Sequence, residues 1–254
     1  METDPVREYG EALTVVTVTR RGRPSVDGLR ASLPAGTRLV VVDTASASNG
    51  DRGDGDVLRL PEDVGRAAAV NRAVAGLEPE VGMVVLADPR VRWRPGAIGA
   101  LLAAAARHPR AGLLGAALRG VGGPTGGPVP GLLAVARGRL PAAAGAGRTG
   151  WVSTAGALVR RAAWDSVDGF DGRYLDGPGG IGDVDLGDRL GRAGWLVVSV
   201  AEAAADVEPD DTIGNGHGIL EPHAAGRHRY VRDRARGPAR ALAALARRAP
   251  DPKP

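Results

Sequence analysis

The sequence predicts an α/β fold whose mainly parallel central sheet is flanked by helices, and three observations carry that expectation. Short β-branched or apolar runs, Thr-Val-Val-Thr-Val-Thr at 14–19, Leu-Val-Val-Val at 39–42 and Met-Val-Val-Leu-Ala at 83–87, read as strands buried on both faces. Segments of helical spacing separate them, and strictly alternating strands and helices build parallel sheets. Two of the runs stop at an aspartate, Asp43 and Asp88, which places both acids at strand carboxyl ends.

Taken in order, the first strand at 14–19 turns at Arg20-Arg21-Gly22, and a helix covers 26–33. The second strand, 39–42, gives way to a polar loop over 44–51. The acidic, glycine-rich stretch 49–56 lacks the spaced carboxylates and terminal Glu of a calcium loop and reads as a solvated turn. A helix follows over 66–77 behind Gly65, with Asn71 and Arg72 as its polar exceptions. After the third strand, Pro95 opens a helix that ends near Ala106, before Pro109. A strand is expected at 111–118. Residues 120–147 are Gly, Pro and Ala with little charge beyond Arg137 and Arg139, a long loop or partly disordered flap of the kind that serves as a lid. A strand at 151–160, a short helix at 161–167 and a turn at 169–171 come next. A helix at 183–193 closes at Gly194, and the last strong strand is 195–200. The remainder reads as irregular to Pro222, then helical and basic. Gly-Pro-Gly-Gly-Ile-Gly at 177–182 spells a dinucleotide fingerprint, but no strand precedes it closely, and we treat the match as chance.

Composition narrows the function. The 254 residues contain no cysteine, which excludes disulfides and thiolate metal sites, and the histidines do not recur at metal-ligand spacing. Charged residues follow Met1 and no apolar run approaches the roughly 20 residues of a membrane span, so an intracellular, cytoplasmic protein is expected. Of the 33 basic residues only Lys253 is a lysine. Arginines crowd 227–236 and recur at Arg240, Arg247 and Arg248, as expected of a segment that meets anionic lipid on the inner face of a membrane. With 3% aromatic residues there is no stacking platform for nucleic acid. The organisation expected is a domain over 1–222, with the Gly/Pro-rich loop inside it, and a basic helical extension over 223–254.

In open α/β sheets ligands collect where strands end and helix N-termini open, so Asp88 is a candidate to hold a divalent cation and through it a diphosphate. Arg90 stands where a second carboxylate would complete an Asp-x-Asp clamp. A bare guanidinium beside the ion would repel it, so Mg or Mn is expected to be weakened or absent.

Read together, Val-Thr-Val-Thr19, Val-Val-Asp43, Gly65 with Ala-Val-Asn-Arg72, Ala-Asp-Pro-Arg90 with Pro95-Gly-Ala, Gly-Trp151-Val-Ser, Leu-Val-Arg-Arg161, Val-Asp-Gly-Phe-Asp171 and Asp183-Val-Asp-Leu-Gly-Asp-Arg-Leu190 with Ala-Gly-Trp195 resemble the family 2 glycosyltransferases, more narrowly the bacterial cell-wall rhamnosyltransferases. The resemblance runs from about Thr14 to Val200. It implies a GT-A fold and inverting transfer of a sugar, here rhamnose from dTDP-rhamnose, to a polyprenyl-diphosphate-linked acceptor by a peripheral membrane protein. The alternative is a degenerate relative that binds a nucleotide sugar or serves as a scaffold.

Carried over by position, the resemblance places Thr19 and Asp43 against the nucleoside, Asn71 and Arg72 near base and diphosphate, Asp88 and Arg90 at the diphosphate, and Trp151, Ser153 and Asp185 at the acceptor. Asp183 matches the general base of a Glu-Asp pair whose Glu is here Gly182. The residues themselves leave other readings open. Asp183 could cap its helix, Asp88 could serve only its turn, Asp185 and Asp188 could face solvent or pair with Arg189 and Arg192, and Trp151 and Trp195 could pack in the core.

Overall fold

The computed structural model describes residues 13–21, 25–45, 56–121, 124–142, 145–174, 180–209 and 224–235. The expected turn at 49–55, the fingerprint glycines at 177 and 179 and the arginines from Arg236 onward lie outside them. The strands are β1 (Leu13–Arg20), β2 (Arg38–Thr44), β3 (Val57–Leu60), β4 (Met83–Ala87), β5 (Val91–Trp93), β6 (Ala111–Arg119), β7 (Gly126–Gly127), β8 (Gly147–Thr149), β9 (Trp151–Val152), β10 (Gly156–Arg160) and β11 (Leu196–Val207). The helices, numbered in chain order, are α1 (Asp27–Ser32), α2 (Gly65–Ala75), α3 (Ala97–Arg107), α4 (Leu132–Ala136), α5 (Arg161–Asp165), α6 (Ile181–Arg192) and α7 (Ala224–Arg234).

Among the described residues the main sheet runs β3-β2-β1-β4-β10-β6-β11-β5, with β8 on β11. It is mixed. β3, β2, β1 and β4 are parallel, as are β6 and β11, but β10 runs antiparallel to both β4 and β6, and β5 and β8 run antiparallel to β11. The strand period of two explains the burial on both faces. Leu13, Val15, Leu39, Val41, Met83 and Val85 pack with α3 in one core, while Val16, Val40, Val42, Val84 and Leu86 pack with α2 and α6 in the other.

Three expectations are corrected. The strand read at 151–160 is broken at 153–155 into β9 and β10. The last strand does not stop at Val200 but runs to Val207, with a register shift between Val200 and Ala204, into residues that read as irregular. The stretch 120–147 is not a structureless flap, since it contains β7, α4 and the start of β8. Of the two residue-level readings of Asp185, facing solvent is set aside, since it is 1% exposed, and the pairing with Arg189 is the one the structure has.

The basic C-terminal helix is docked rather than free. Tyr230 and Val231 of α7 join Val135, Trp151, Tyr174, Ile181 and Val184 in a third apolar cluster, and the Tyr230 and Tyr174 rings meet edge-on at 5.7 Å. Arg234 closes the contact by pairing with Asp185 at 2.5 Å and with Asp188 on α6. Burial pushes the Tyr230 phenol up to about 12, against the opposing pull of Arg234 over its ring at 4.6 Å. An unfolded tyrosine titrates near 10, so the folded state holds its proton more tightly and is favoured below that pH. Stability is therefore expected to fall as pH rises from about 10 to 12, by at most about 2.7 kcal/mol from this group. Denaturant titrations across that range should show the slope in the native protein and a smaller one in Tyr230→Phe; equal slopes would refute the assignment.

Candidate active site

The topology brings one set of chain segments to a single edge of the sheet. β1, β2 and β4 end there with Thr19, Asp43 and Asp88. Because β10 is antiparallel to β4, with Gly156 opposite Ala87, the 153–155 break falls at the same edge, and the Asp88 N–H donates to the Ala155 carbonyl at 2.8 Å. Two helix N-termini open onto this edge. α2 leaves β3 there, and α6 starts there because it descends to feed β11, which is parallel to β6.

Asp43 is fully buried at the end of β2 and accepts a hydrogen bond from the Thr19 hydroxyl at 2.9 Å. Both residues expected at the nucleoside are therefore joined, Thr19 holding the carboxylate in place. Asp183, in the first turn of α6, is 1% exposed. Its Oδ2 accepts the Thr154 N–H at 2.9 Å and its Oδ1 the Thr154 hydroxyl at 2.5 Å. The helix does not receive a side-chain cap at Gly180, and Asp183 instead ties α6 to the β9–β10 break. A β-carbon at Gly182 would stand 3.3 Å from the Tyr174 carbonyl, so a glutamate beside Asp183 would have to push into that backbone.

Arg66 is the site residue that sequence reading passed over. Gly65 takes a left-handed φ of 75°, as glycine does at little cost, and opens α2 with Arg66 leaning across the edge. Its guanidinium donates to the Thr154 hydroxyl at 3.0 Å and to the Thr154 carbonyl at 2.9 Å, and lies 5.6 Å from the centre of the Phe170 ring. Burial lowers its pKa, and the charges of Asp183 and Asp88 oppose that shift. Thr154, also unread, is thus the joint between a carboxylate and a guanidinium.

Arg90 folds back onto Asp88. Its Nε donates to Asp88 Oδ1 at 2.9 Å, its backbone N–H to the same oxygen at 3.0 Å, and a terminal nitrogen to Oδ2 at 3.2 Å. Both oxygens that would reach a divalent cation are engaged, and the described residues contain no group of three His, Cys, Asp or Glu side chains able to hold a metal ion. The described residues, with Asp88 closed by Arg90, do not fit such an ion.

The other expected positions serve the frame. Asn71 donates to the Phe170 carbonyl at 2.8 Å and accepts the Phe170 N–H at 2.9 Å, bracing the turn at Gly169. Arg72 is exposed on α2, six residues and hence about 240° around the helix from Arg66. Trp151 is fully buried in the third apolar cluster, and Ser153 accepts the Ala155 N–H at 3.2 Å. Asp185 is paired with Arg189 at 2.6 Å and with Arg234. These contacts of Asn71, Trp151 and Asp185 are thus all within the frame, while Ser153 stands in the 153–155 break at the Asp88 edge. A cavity of about 580 Å³ lies elsewhere, between the end of α1 at Ser32 to Pro34 and the start of α3, and includes none of the edge residues.

No family model matches the sequence. N-acetylglucosaminyl-diphospho-decaprenol L-rhamnosyltransferase of Mycobacterium tuberculosis, in strains CDC 1551 and H37Rv, is 38% identical over 76% of this chain and 75% of its own length. Two solved structures share the fold at low identity. A mannosyltransferase from Pyrobaculum calidifontis in complex with GDP-Man and Mn2+ superposes with a TM-score of 0.55 at 15% identity, covering 93% of this chain and 79% of that one. GalNAc-T7 with UDP, GalNAc and Mn2+ does so with a TM-score of 0.57 at 12% identity, covering 77% of this chain, which spans only 43% of it.

Proposed function

Since the chain belongs to the family 2 glycosyltransferases, among the bacterial cell-wall rhamnosyltransferases, and is a glycosyltransferase of GT-A fold, we propose that it moves rhamnose from dTDP-rhamnose, with inversion, to a polyprenyl-diphosphate-linked sugar. The acceptor named for the mycobacterial relatives, an N-acetylglucosaminyl-diphospho-polyprenol, is the first to test. The observation that carries the reading is Asp183, a buried carboxylate fixed through both oxygens at the sheet edge where Asp43, Arg66 and Asp88 converge. In the transfer Asp183 takes the acceptor hydroxyl proton. The oxygen bonds to the anomeric carbon from one face, and the bond to the diphosphate breaks on the other, releasing dTDP. Thr19 and Asp43 hold the nucleoside. Asp88, closed by Arg90, binds Mg or Mn weakly or not at all.

Incubation with dTDP-rhamnose and the lipid-linked acceptor tests the activity, the product's anomeric configuration reporting inversion. Nucleotide binding is tested apart from turnover. At 100 times its dissociation constant a ligand stabilises the fold by about 2.7 kcal/mol, so millimolar dTDP is expected to raise the melting temperature visibly. No shift and no transfer would leave the scaffold reading in its place.

We also propose that the protein sits peripherally on the inner, cytoplasmic face of the membrane. Arg229 and Arg232 are exposed on α7, while among the described residues no helix is long and apolar enough to cross a bilayer. Each Lys or Arg near an anionic surface contributes about 1 kcal/mol. Salt-sensitive cosedimentation with phosphatidylserine vesicles is expected, and truncation after Ala235, which keeps the docked α7, should weaken it. Undiminished binding of the truncated protein would exclude the arginines beyond Ala235 as the anchor, and undiminished binding both there and in an Arg229→Ala, Arg232→Ala variant would refute the basic segment as a whole.

A further inference from the structure

Arg66 is a part-buried guanidinium, and among the described residues no carboxylate lies within 4 Å of it, although Asp183 and Asp88 are near enough to act on it electrostatically. Its partners among the described residues are a hydroxyl, a carbonyl and an aromatic face, all neutral. A cation desolvated without a contact ion of opposite sign is costly to hold, and an anion seated on its remaining N–H groups relieves that cost. The nearest acids do not touch it. Asp88 is closed on Arg90, and both oxygens of Asp183 are held by Thr154.

We propose that Arg66 binds the diphosphate of the donor and that the Asp88–Arg90 pair stays closed beneath it, so that transfer proceeds without a divalent cation. This rests on the glycosyl-transfer reading above. Charge is balanced at each stage. Before reaction Arg66 faces the anionic Asp183 across Thr154, and Asp88 with Arg90 sums to zero. As the acceptor O–H breaks, its proton moves to Asp183, whose charge is lost while the bond from the anomeric carbon to the phosphate oxygen gives its electron pair to the leaving dTDP. Arg66 is thereby left uncompensated by Asp183 at the moment negative charge grows on the diphosphate, and its attraction is stronger in the transition state than before it. Arg90 acts as a positioning residue. Without it, Asp88 is a bare carboxylate beside two phosphates, a repulsion that only an added cation would remove.

Sugar transfer, dTDP binding and inorganic pyrophosphate binding are measured in chelator and in Mn2+ for the native protein, Arg66→Gln, Arg66→Lys and Arg90→Ala. The native rate in chelator should stay within about threefold of that in Mn2+, and Arg66→Gln should lower kcat by about 100-fold or more, with Arg66→Lys recovering part of it. Arg90→Ala should become dependent on Mn2+, a response that a merely structural role would not produce. A native rate stimulated about tenfold or more by Mn2+, or an Arg66→Gln protein as fast as the native one, overturns the proposal. If no sugar is transferred under any condition, the glycosyl-transfer reading fails, and the pyrophosphate arm decides alone. Pyrophosphate bound in chelator, lost in Arg66→Gln and partly kept in Arg66→Lys keeps the anion site; absence of native binding, or native-like binding by Arg66→Gln, removes it.

Discussion

Asp183→Asn should lower kcat by about 10²- to 10⁴-fold, the range lost when a positioned general base is removed, while dTDP affinity changes little. Asparagine suits the test because it keeps the local contacts. Its carbonyl can accept the Thr154 N–H that Oδ2 now takes at 2.9 Å, and its amide can donate to the Thr154 hydroxyl that Oδ1 now accepts from at 2.5 Å. The fold at the start of α6 is preserved, and only the charge and the basic lone pair are lost. Steady-state kinetics with saturating donor, beside a melting curve, separate the two roles of this residue. A variant that melts lower but turns over at the native rate would make Asp183 a clasp between α6 and the β9–β10 break and nothing more.

The strands that the sequence announced are those whose β-branched and apolar runs lie between two cores, β1, β2 and β4, since burial on both faces leaves few charged residues to blur the pattern. Those it hid are short or marginal. β3 and β5 have four and three residues, and the far half of β11 is Ala-Glu-Ala-Ala-Ala-Asp, which has no β propensity of its own. It is held as strand by its neighbours, Asp206 pairing with Arg94 at 2.8 Å across to β5. The antiparallel direction of β10 was invisible because it is defined by pairing with β4 and β6, distant in the chain, a long-range fact with no local signature.

The site divides in the same way. Thr19, Asp43, Asp88 and Asp183 were legible because each ends a strand or begins a helix, where an acid or hydroxyl stands out from apolar surroundings. Arg66 was not, as one arginine among 33 basic residues, although Gly65 before it was the available signal. Thr154 was hidden inside what read as a continuous strand. For Asn71 the motif carried no direction. Its amide looks to the Phe170 backbone, and an added β-carbon at Gly169 would meet its Oδ1 at 2.6 Å, so the glycine and the asparagine are fitted to each other.

Asp185 divides the acceptor reading from the structural one, and Asp185→Ala is expected to act on stability. The carboxylate is 2% exposed and lies between Arg189 at 2.6 Å and Arg234 at 2.5 Å. Its removal leaves two guanidiniums facing an apolar cluster without their shared counter-charge, and breaking a buried pair by deleting one partner costs about 3–5 kcal/mol. Arg189 keeps the Val167 carbonyl and Arg234 keeps Asp188, which puts the expectation at the lower end. For a chain of this size about 3 kcal/mol corresponds to a fall of roughly 6–12 °C in melting temperature. The loss should be shared with Arg234→Met, so that the double variant falls by less than the sum of the two, because both remove one contact between α6 and α7. If Asp185 instead held the acceptor, the alanine variant would keep its melting temperature and raise the acceptor KM, and the two substitutions would add. Melting curves and acceptor titrations on the same four proteins therefore assign the residue, and with it the helix it fastens.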